Sequence, residues 1–360
     1  TNTAAADPNN QASIQIRGIT SRAAGLGPLV VIDGVPGGNL TNINTNDIES
    51  MDILKDGAAS AIYGTRGSNG VILVTTKKGS KDGEIHTTYN SMISASIPYN
   101  ELDLLSAADY RKYRTASNPA LDLGSNTDWI DKITRTGFTQ QQTLTLSAGN
   151  NKSNYRASVD YRDATGIDIR SGREEYGGRV SINHATKSGL LNFSLNIAPR
   201  VVKRKNSSLD AFKWAADANP TTPMHDPKNP SLYYDFTGQQ ADANPLELLK
   251  LEDDGGETKL LDWDGTAKLN LLPLLAKNAN SIHSLSTQLT FADQQSDNFN
   301  YFFRPSTSQK AIKNGFKGEA NRSYDKYIQH SLEWVVNYGV ELNGHKMGAV
   351  GGYSYQYFQN

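Results

Sequence analysis

The sequence contains no cysteine. A disulfide framework and a thiolate metal site are therefore excluded, and the compartment is left open. Tryptophan (4) and methionine (4) are scarce, while tyrosine (17) outnumbers phenylalanine (10). An excess of one charge is also lacking: 36 basic and 37 acidic residues give a formal net charge of −1 over 360 residues. No global field favours nucleic acid or an anionic surface, and no nucleic-acid partner is expected. No run approaches the roughly 18 apolar residues of a membrane helix. A transmembrane barrel stays possible, because its strands are apolar only on alternate residues and average hydropathy then looks soluble. No basic start followed by an apolar run is found, so no signal peptide is read. The polar opening "TNTAAADPNN" and the strand-like ending "YSYQYFQN" lead us to expect a piece of a longer protein.

Residues 14–79 form a first block. "PLVVIDGVPGG" gives a buried strand and then Asp33-Gly34, a strong turn dipeptide. "DIESMDILKD" reads as a strand with Met51 and Ile53 on one face. "AASAIYG" reads as a short helix stopping at Gly64, and "GVILVTTKK" as the next strand. The expectation is a small mixed sheet with one or two short helices.

After Gly79 the pattern becomes alternation of apolar and polar residues, the signal of a half-buried strand. Nine such runs follow, including Tyr155-Ala157-Val159-Tyr161 opposed by Arg156-Ser158-Asp160-Arg162, and Leu191-Phe193-Leu195-Ile197. The connections "GNNKS", "ATKSG" and "NG" are tight, whereas 99–137, 206–256 and 303–321 are long. Tight turns at one end and long loops at the other are the outer-membrane barrel pattern, which a soluble sandwich has no reason to keep. "SAADYRKYRTAS" and "SSLDAFKWAADA" read as loop helices capped by Ser106 and Ser208.

Chemical motifs are weak. "GTRGSNG" (64–70) has neither the lysine of a phosphate loop nor the spacing of a dinucleotide fingerprint, and a tight backbone path is the simpler reading. "DWDG" and "EDDGGE" could hold calcium, but neither continues as an EF-hand, and solvated acidic loops are expected. The six histidines show no ligand spacing. No catalytic constellation emerges, so no enzyme, cofactor or metal is expected. Tyr353, Tyr355, Tyr357 and Phe358 read either as an interfacial aromatic girdle or as a ligand platform. Trp214, Tyr233, Tyr234 and Phe236 are of the types that stack on sugars or peptides, and equally of the types that fold a loop on itself.

"IQIRGITS", "PLVVIDGVPGG" and "INTNDIESMDILKDGAASAIYGTRGSNGVILVTTKKG" together resemble the plug domain of TonB-dependent outer-membrane transporters, of the SusC/RagA-type branch of Bacteroidota. The signature positions are Arg17, Gly18, Asp33, Gly34, Lys55, Asp56, Tyr63, Gly64, Arg66, Gly67, Asn69 and Gly70. "TDWIDKITRTG" and "TLTLSAGNNKSNYRASVDYRDATGI" resemble the first barrel strands of that branch. The resemblance implies a mixed α/β plug domain (1–79), then part of an antiparallel transmembrane β-barrel (80–360), here nine up-and-down strands of about 22. It also implies TonB acting through an N-terminal segment, a SusD-like lipoprotein cap, a glycan or peptide substrate, and outer-membrane lipid around the wall. Arg66, Ser68 and Asn69 are then expected to bond to charged lumen residues of the wall, such as Arg156, Asp160, Arg162 and Arg179. The alternative is a secreted or periplasmic β-rich glycan- or peptide-binding module.

Overall fold

The computed structural model describes residues 7–10, 14, 16, 27–55, 61–99, 102–272, 282–342 and 345–360. Arg17, Gly18 and Asp56, and the first part of the "AASAIYG" helix, lie outside the described residues. The first block is a four-stranded mixed sheet in the order β2-β1-β4-β3. Its strands are β1 (Leu29–Ile32), β2 (Val35–Pro36), β3 (Ile48–Leu54) and β4 (Val71–Thr76). β1 runs parallel to β4, and β3 antiparallel to it. Val31, Val35, Val71, Ile72 and Val74 bury the core of this unit. Asp33 (φ 51°) and Gly34 (φ 91°) form the two-residue turn between β1 and β2, both in the left-handed region that a primed hairpin turn demands. Met51 and Ile53 do share a face, but β3 is an edge strand and both are about half exposed, outside that core.

The remaining strands make one nine-stranded antiparallel sheet in strict chain order. They are β5 (His86–Ser96), β6 (Gly137–Gly149), β7 (Ser153–Thr165), β8 (Gly172–Ala185), β9 (Leu191–Lys205), β10 (Asp253–Asn270), β11 (His283–Arg304), β12 (Glu319–Leu342) and β13 (His345–Gln359). The nine alternating runs each fall on one of these strands. Among the described residues the sheet is open: β5 and β13 each pair on one side only. Its burial is inverted relative to a soluble sheet. Val159 is 59% exposed and Phe193 41%, while Ser158 is 4% and Ser181 2% exposed. The apolar row is continuous across strands through Leu144↔Val159, Ile182↔Leu195, Phe193↔Ala267 and Leu289↔Trp334.

Residues of β6, β7, β8, β9, β12 and β13 all bond to the first block. On a flat sheet β6 and β13 would lie roughly 34 Å apart, seven spacings of about 4.8 Å. The wall therefore curves around the plug-like unit, with the polar row on its concave side.

"DWDG" and "EDDGGE" are not loops. Both fall on or at the start of β10, where alternation sends Asp262 and Asp264 inward and separates them from outward Trp263. The "SAADYRKYRTAS" helix forms over Ala107–Tyr110, with Ser106 Oγ accepting from Asp109 N (3.1 Å). The Leu209–Asp217 helix begins after Ser208, which makes no side-chain cap.

Candidate functional site

The plug and wall are joined through polar groups. Asp47 ends a short 3-10 turn (Thr45–Asp47) whose cap is Asn44. Its carboxylate accepts from Arg156 Nη2 (2.9 Å) and Ser158 Oγ (2.9 Å), two inward residues of β7. Asn44 Nδ2 and Asn46 Nδ2 donate to Thr143 Oγ1 on β6 (3.0 and 3.2 Å). Asp33 does two jobs from its turn. It accepts from Thr76 N (2.9 Å) and Thr76 Oγ1 (2.6 Å) within the plug, and from Arg179 Nη2 (3.0 Å) on β8. Arg200 Nε donates to Asn42 O (3.0 Å), and Gln329 Nε2 to Pro36 O (3.0 Å). Arg66 donates to the Gln356 side chain on β13.

The expected lumen charges all face inward, but they do not all reach the plug. Arg156 and Arg179 do. Asp160 pairs with Arg200 (3.0 Å) and Arg162 with Glu175 (2.9 Å), within the wall. Arg66 bonds to a neutral amide, with the Glu333 carboxyl of β12 within electrostatic reach. Asp47, Asn44, Arg200 and Gln329 were not singled out in the sequence. Only Asp47 carries a local cue, as the acidic end of "NTND". Lys55 is exposed, and Gly67 is buried beside Arg66. Tyr353, Tyr355 and Tyr357 stand in the outward row beside Trp334, Leu332 and His330, at mid-length of β12. Phe358 has the opposite parity and packs near Tyr327, 6.5 Å between ring centres.

The long connections meet at one end of the wall. Thr127 Oγ1 donates to Thr222 O (2.8 Å), and Trp129 Nε1 to Asn219 O (3.2 Å), joining 97–136 to 206–252. Ser308 Oγ donates to Glu247 Oε1 (2.5 Å), which ties in 305–318. Trp129, Ile133, Ala211, Ala215, Phe236, Leu246, Leu248 and Leu249 make a second apolar core inside these loops. Phe236 is 2% exposed and meets Trp129 edge-on at 5.4 Å. Trp214, Tyr233 and Tyr234 pack against the same core, and Tyr233 also stacks on His225 (4.8 Å). These aromatic residues thus fold the loops together, and of Trp214, Tyr233, Tyr234 and Phe236 only Tyr234 lines a large cavity at this end. That cavity, of about 990 Å³, opens between the 102–129 segment and residues 215–240 and is lined by Asp103, Tyr110, Asn126, Trp129, Asn219 and Gln239 among others. Burial raises the pKa of the Glu247 carboxyl, against the hydrogen bond from Ser308 and the amides of Gln309 and Lys310.

Residues 1–71 match the family model of the TonB-dependent Receptor Plug Domain. The chain is 30% identical over 372 aligned positions to the TonB-dependent receptor SusC of Bacteroides thetaiotaomicron, covering 90% of this chain and 35% of that protein. It is 29% identical to the TonB-dependent receptor P3 of Formosa agariphila, over 98% of this chain and 35% of that protein. The chain thus spans about a third of the length of these curated relatives. The RagAB peptide transporter structure superposes with a TM-score of 0.78 at 20% identity, over 99% of this chain and 44% of the other. The chain carries the plug of TonB-dependent receptors and is similar along nearly its whole length to part of a SusC/RagA-type receptor. Its plug and nine strands are those of this receptor fold, and the family places it at the outer membrane.

Proposed function

We propose that this SusC/RagA-type chain supplies the plug and nine wall strands of a closed, multi-pass outer-membrane barrel that imports oligosaccharides or peptides. TonB pulls on the plug from the inner side, and a SusD-like lipoprotein caps the loop end. The boundary between the two units falls at Gly79, where the chain crosses β7 so closely that an added Cβ would meet Tyr155 N at 2.4 Å. The observation that carries this reading is the inverted wall: an apolar row outside, and a polar row inside that holds the plug by ion pairs. A secreted binding module offers no reason for that apolar outer row.

The plug signature residues are structural on this reading. Asp33 and Gly34 make a turn that is itself an anchor, and Arg66 reaches the far side of the wall. Trp214, Tyr233 and Phe236 hold the loops in place, and Tyr234 faces the solute. The loop end is extracellular, and its 990 Å³ cavity receives solute or the capping partner. Deleting 221–245 in the intact receptor removes one wall of that cavity and leaves every strand. Uptake and partner affinity are expected to fall while insertion into the outer membrane continues. Unchanged uptake and unchanged partner affinity would remove the assignment of this end to recognition.

A further inference from the structure

Beyond the import reading, and resting on it, we infer that the inner wall between plug apex and loops holds an oxyanion-binding recess built on Arg173 and Arg204. It takes a carboxylate or sulfate carried by the imported solute. Arg173 on β8 and Arg204 on β9 stand directly opposite in register, and both line the same cavity. Like charges in directly opposed positions destabilise a sheet unless something of opposite sign lies between them.

The wall supplies that charge to Arg173 alone, through Glu175, and not to Arg204. Glu175 Oε1 accepts from Arg162 Nη1 (2.9 Å) and Arg173 Nε (2.5 Å), and Glu175 Oε2 from Arg200 Nη1 (3.1 Å). Asp160 Oδ1 takes Arg200 Nη2 (3.0 Å). Two carboxylates are therefore shared among Arg162, Arg173 and Arg200, and Arg204 has neither. Its guanidinium donates to Thr258 Oγ1 (2.7 Å) and Asn300 Oδ1 (3.1 Å), both neutral, and no described carboxylate forms an ion pair with it. The arginines nearer the loops differ: Arg304 pairs with Glu252 and Glu319, and Arg170 with Asp253.

Space is present as well. In the same cross-strand row Arg173 faces Ala164, and Arg204 faces Gly256, so small residues flank both guanidinium groups. The cavity measures about 460 Å³ and is closed on the plug side by Asn39, Thr41 and Asn42. Asn298 and Tyr327 supply neutral polar groups. Asp262 also lines the cavity, but it lies six residues along β10 from Gly256, roughly 20 Å away at about 3.4 Å per residue. Asn9 bonds to the backbone next to both arginines, donating to Gly172 O (3.2 Å) and Lys205 O (2.8 Å). The nearby Asp7 carboxylate accepts from Asn9 N (2.9 Å) rather than from an arginine. Paired guanidinium groups offer planar forks of donors that match an oxyanion, and charge-assisted bonds of this kind are the strong ones.

The test uses the intact receptor, purified in detergent, and pairs of oligomers that differ only in charge. The probes are tetragalacturonate against tetragalactose, tetraglutamate against tetraglutamine, and inorganic sulfate. In at least one pair the acidic member is expected to bind about tenfold more tightly, and Arg204→Gln to abolish that preference while the neutral member is unaffected. The pair that responds identifies the carrier as sugar or peptide. Sulfate is expected to raise the melting temperature of the wild type and not of Arg204→Gln, whose own melting curve reports its folding. Arg204→Lys keeps part of the preference. Neutral oligomers binding as tightly as acidic ones, or an unchanged preference in Arg204→Gln, would overturn the recess. Sulfate binding that no acidic oligomer displaces would mean a small-ion site and overturn it too. Failure of every oligomer, charged or neutral, would instead count against the import reading.

Discussion

At the scale of the residue, Asp47 is the most exacting contact between plug and wall. Its carboxylate is buried and accepts from both Arg156 Nη2 and Ser158 Oγ. Removing one partner of a buried pair leaves an uncompensated charge, at a cost of about 3–5 kcal/mol. Asp47→Ala is therefore expected to loosen the plug, seen as faster hydrogen exchange in 39–47 with the wall strands unchanged. Equal protection in both proteins would show that Arg156 is satisfied elsewhere. Glu247 gives a pH-dependent counterpart in the loops. Its folded pKa is raised, so its contribution to loop docking is complete below the ordinary glutamate range and is lost as pH rises through the elevated value. Trp129 and Trp214 report on this core, and their fluorescence on heating should show loop melting at lower temperature as the pH is raised towards neutral. Glu247→Gln should flatten that slope and raise the neutral-pH midpoint. An identical slope in the variant would place the pH dependence on another group.

At the scale of the element, each wall strand presents two chemistries on alternate residues. Val180 on β8 is outward and opposes Ile197 on β9. A cation there meets lipid on the proposed reading, and Val180→Arg is expected to cost about 2–4 kcal/mol of folding stability if the site lies near the midplane. Refolding into lipid vesicles with urea titration measures this. A loss that is the same in thick and thin bilayers would mean that Val180 does not face lipid. The same alternation decided what was legible in the sequence. All nine strands were visible because outward apolar and inward polar residues differ in hydropathy. Their loop-side ends were not visible. Lys203, Glu257, Lys259, Asp297 and Lys326 stand outward there, so both faces are polar and the period disappears. β10 accordingly starts at Asp253, inside what reads as loop, and β12 at Glu319. The Asp33-Gly34 turn was legible because its conformation is dictated locally. The pairing of Arg173 with Arg204, or of Asp47 with Arg156, was not. These depend on register between segments 31 and 109 residues apart.

At the scale of the whole molecule, the wall has two unpaired edges and an apolar outer face. An open sheet of this kind cannot satisfy its edge groups in hydrocarbon. Vesicles carrying only these 360 residues should pass no solute, whereas on the proposed reading the closed parent barrel should once its plug is deleted. Flux through the short chain would imply that copies associate edge to edge. The span of the plug's contacts carries a further consequence, for the order of assembly. Each wall strand pairs with the next one along the chain, so the wall can grow by neighbour addition once its strands reach the membrane. The plug precedes the wall in the chain, and its own sheet closes over 5 residues at Val31↔Pro36 and 42 at Leu29↔Val71. Its contacts with the wall close much later: Asn44 with Thr143 over 99 residues, Gln329 with Pro36 over 293. Long loops close slowly and reward late. These separations predict that the plug's own sheet forms before its polar anchors to the wall, which are then expected to be among the last groups to lose their water.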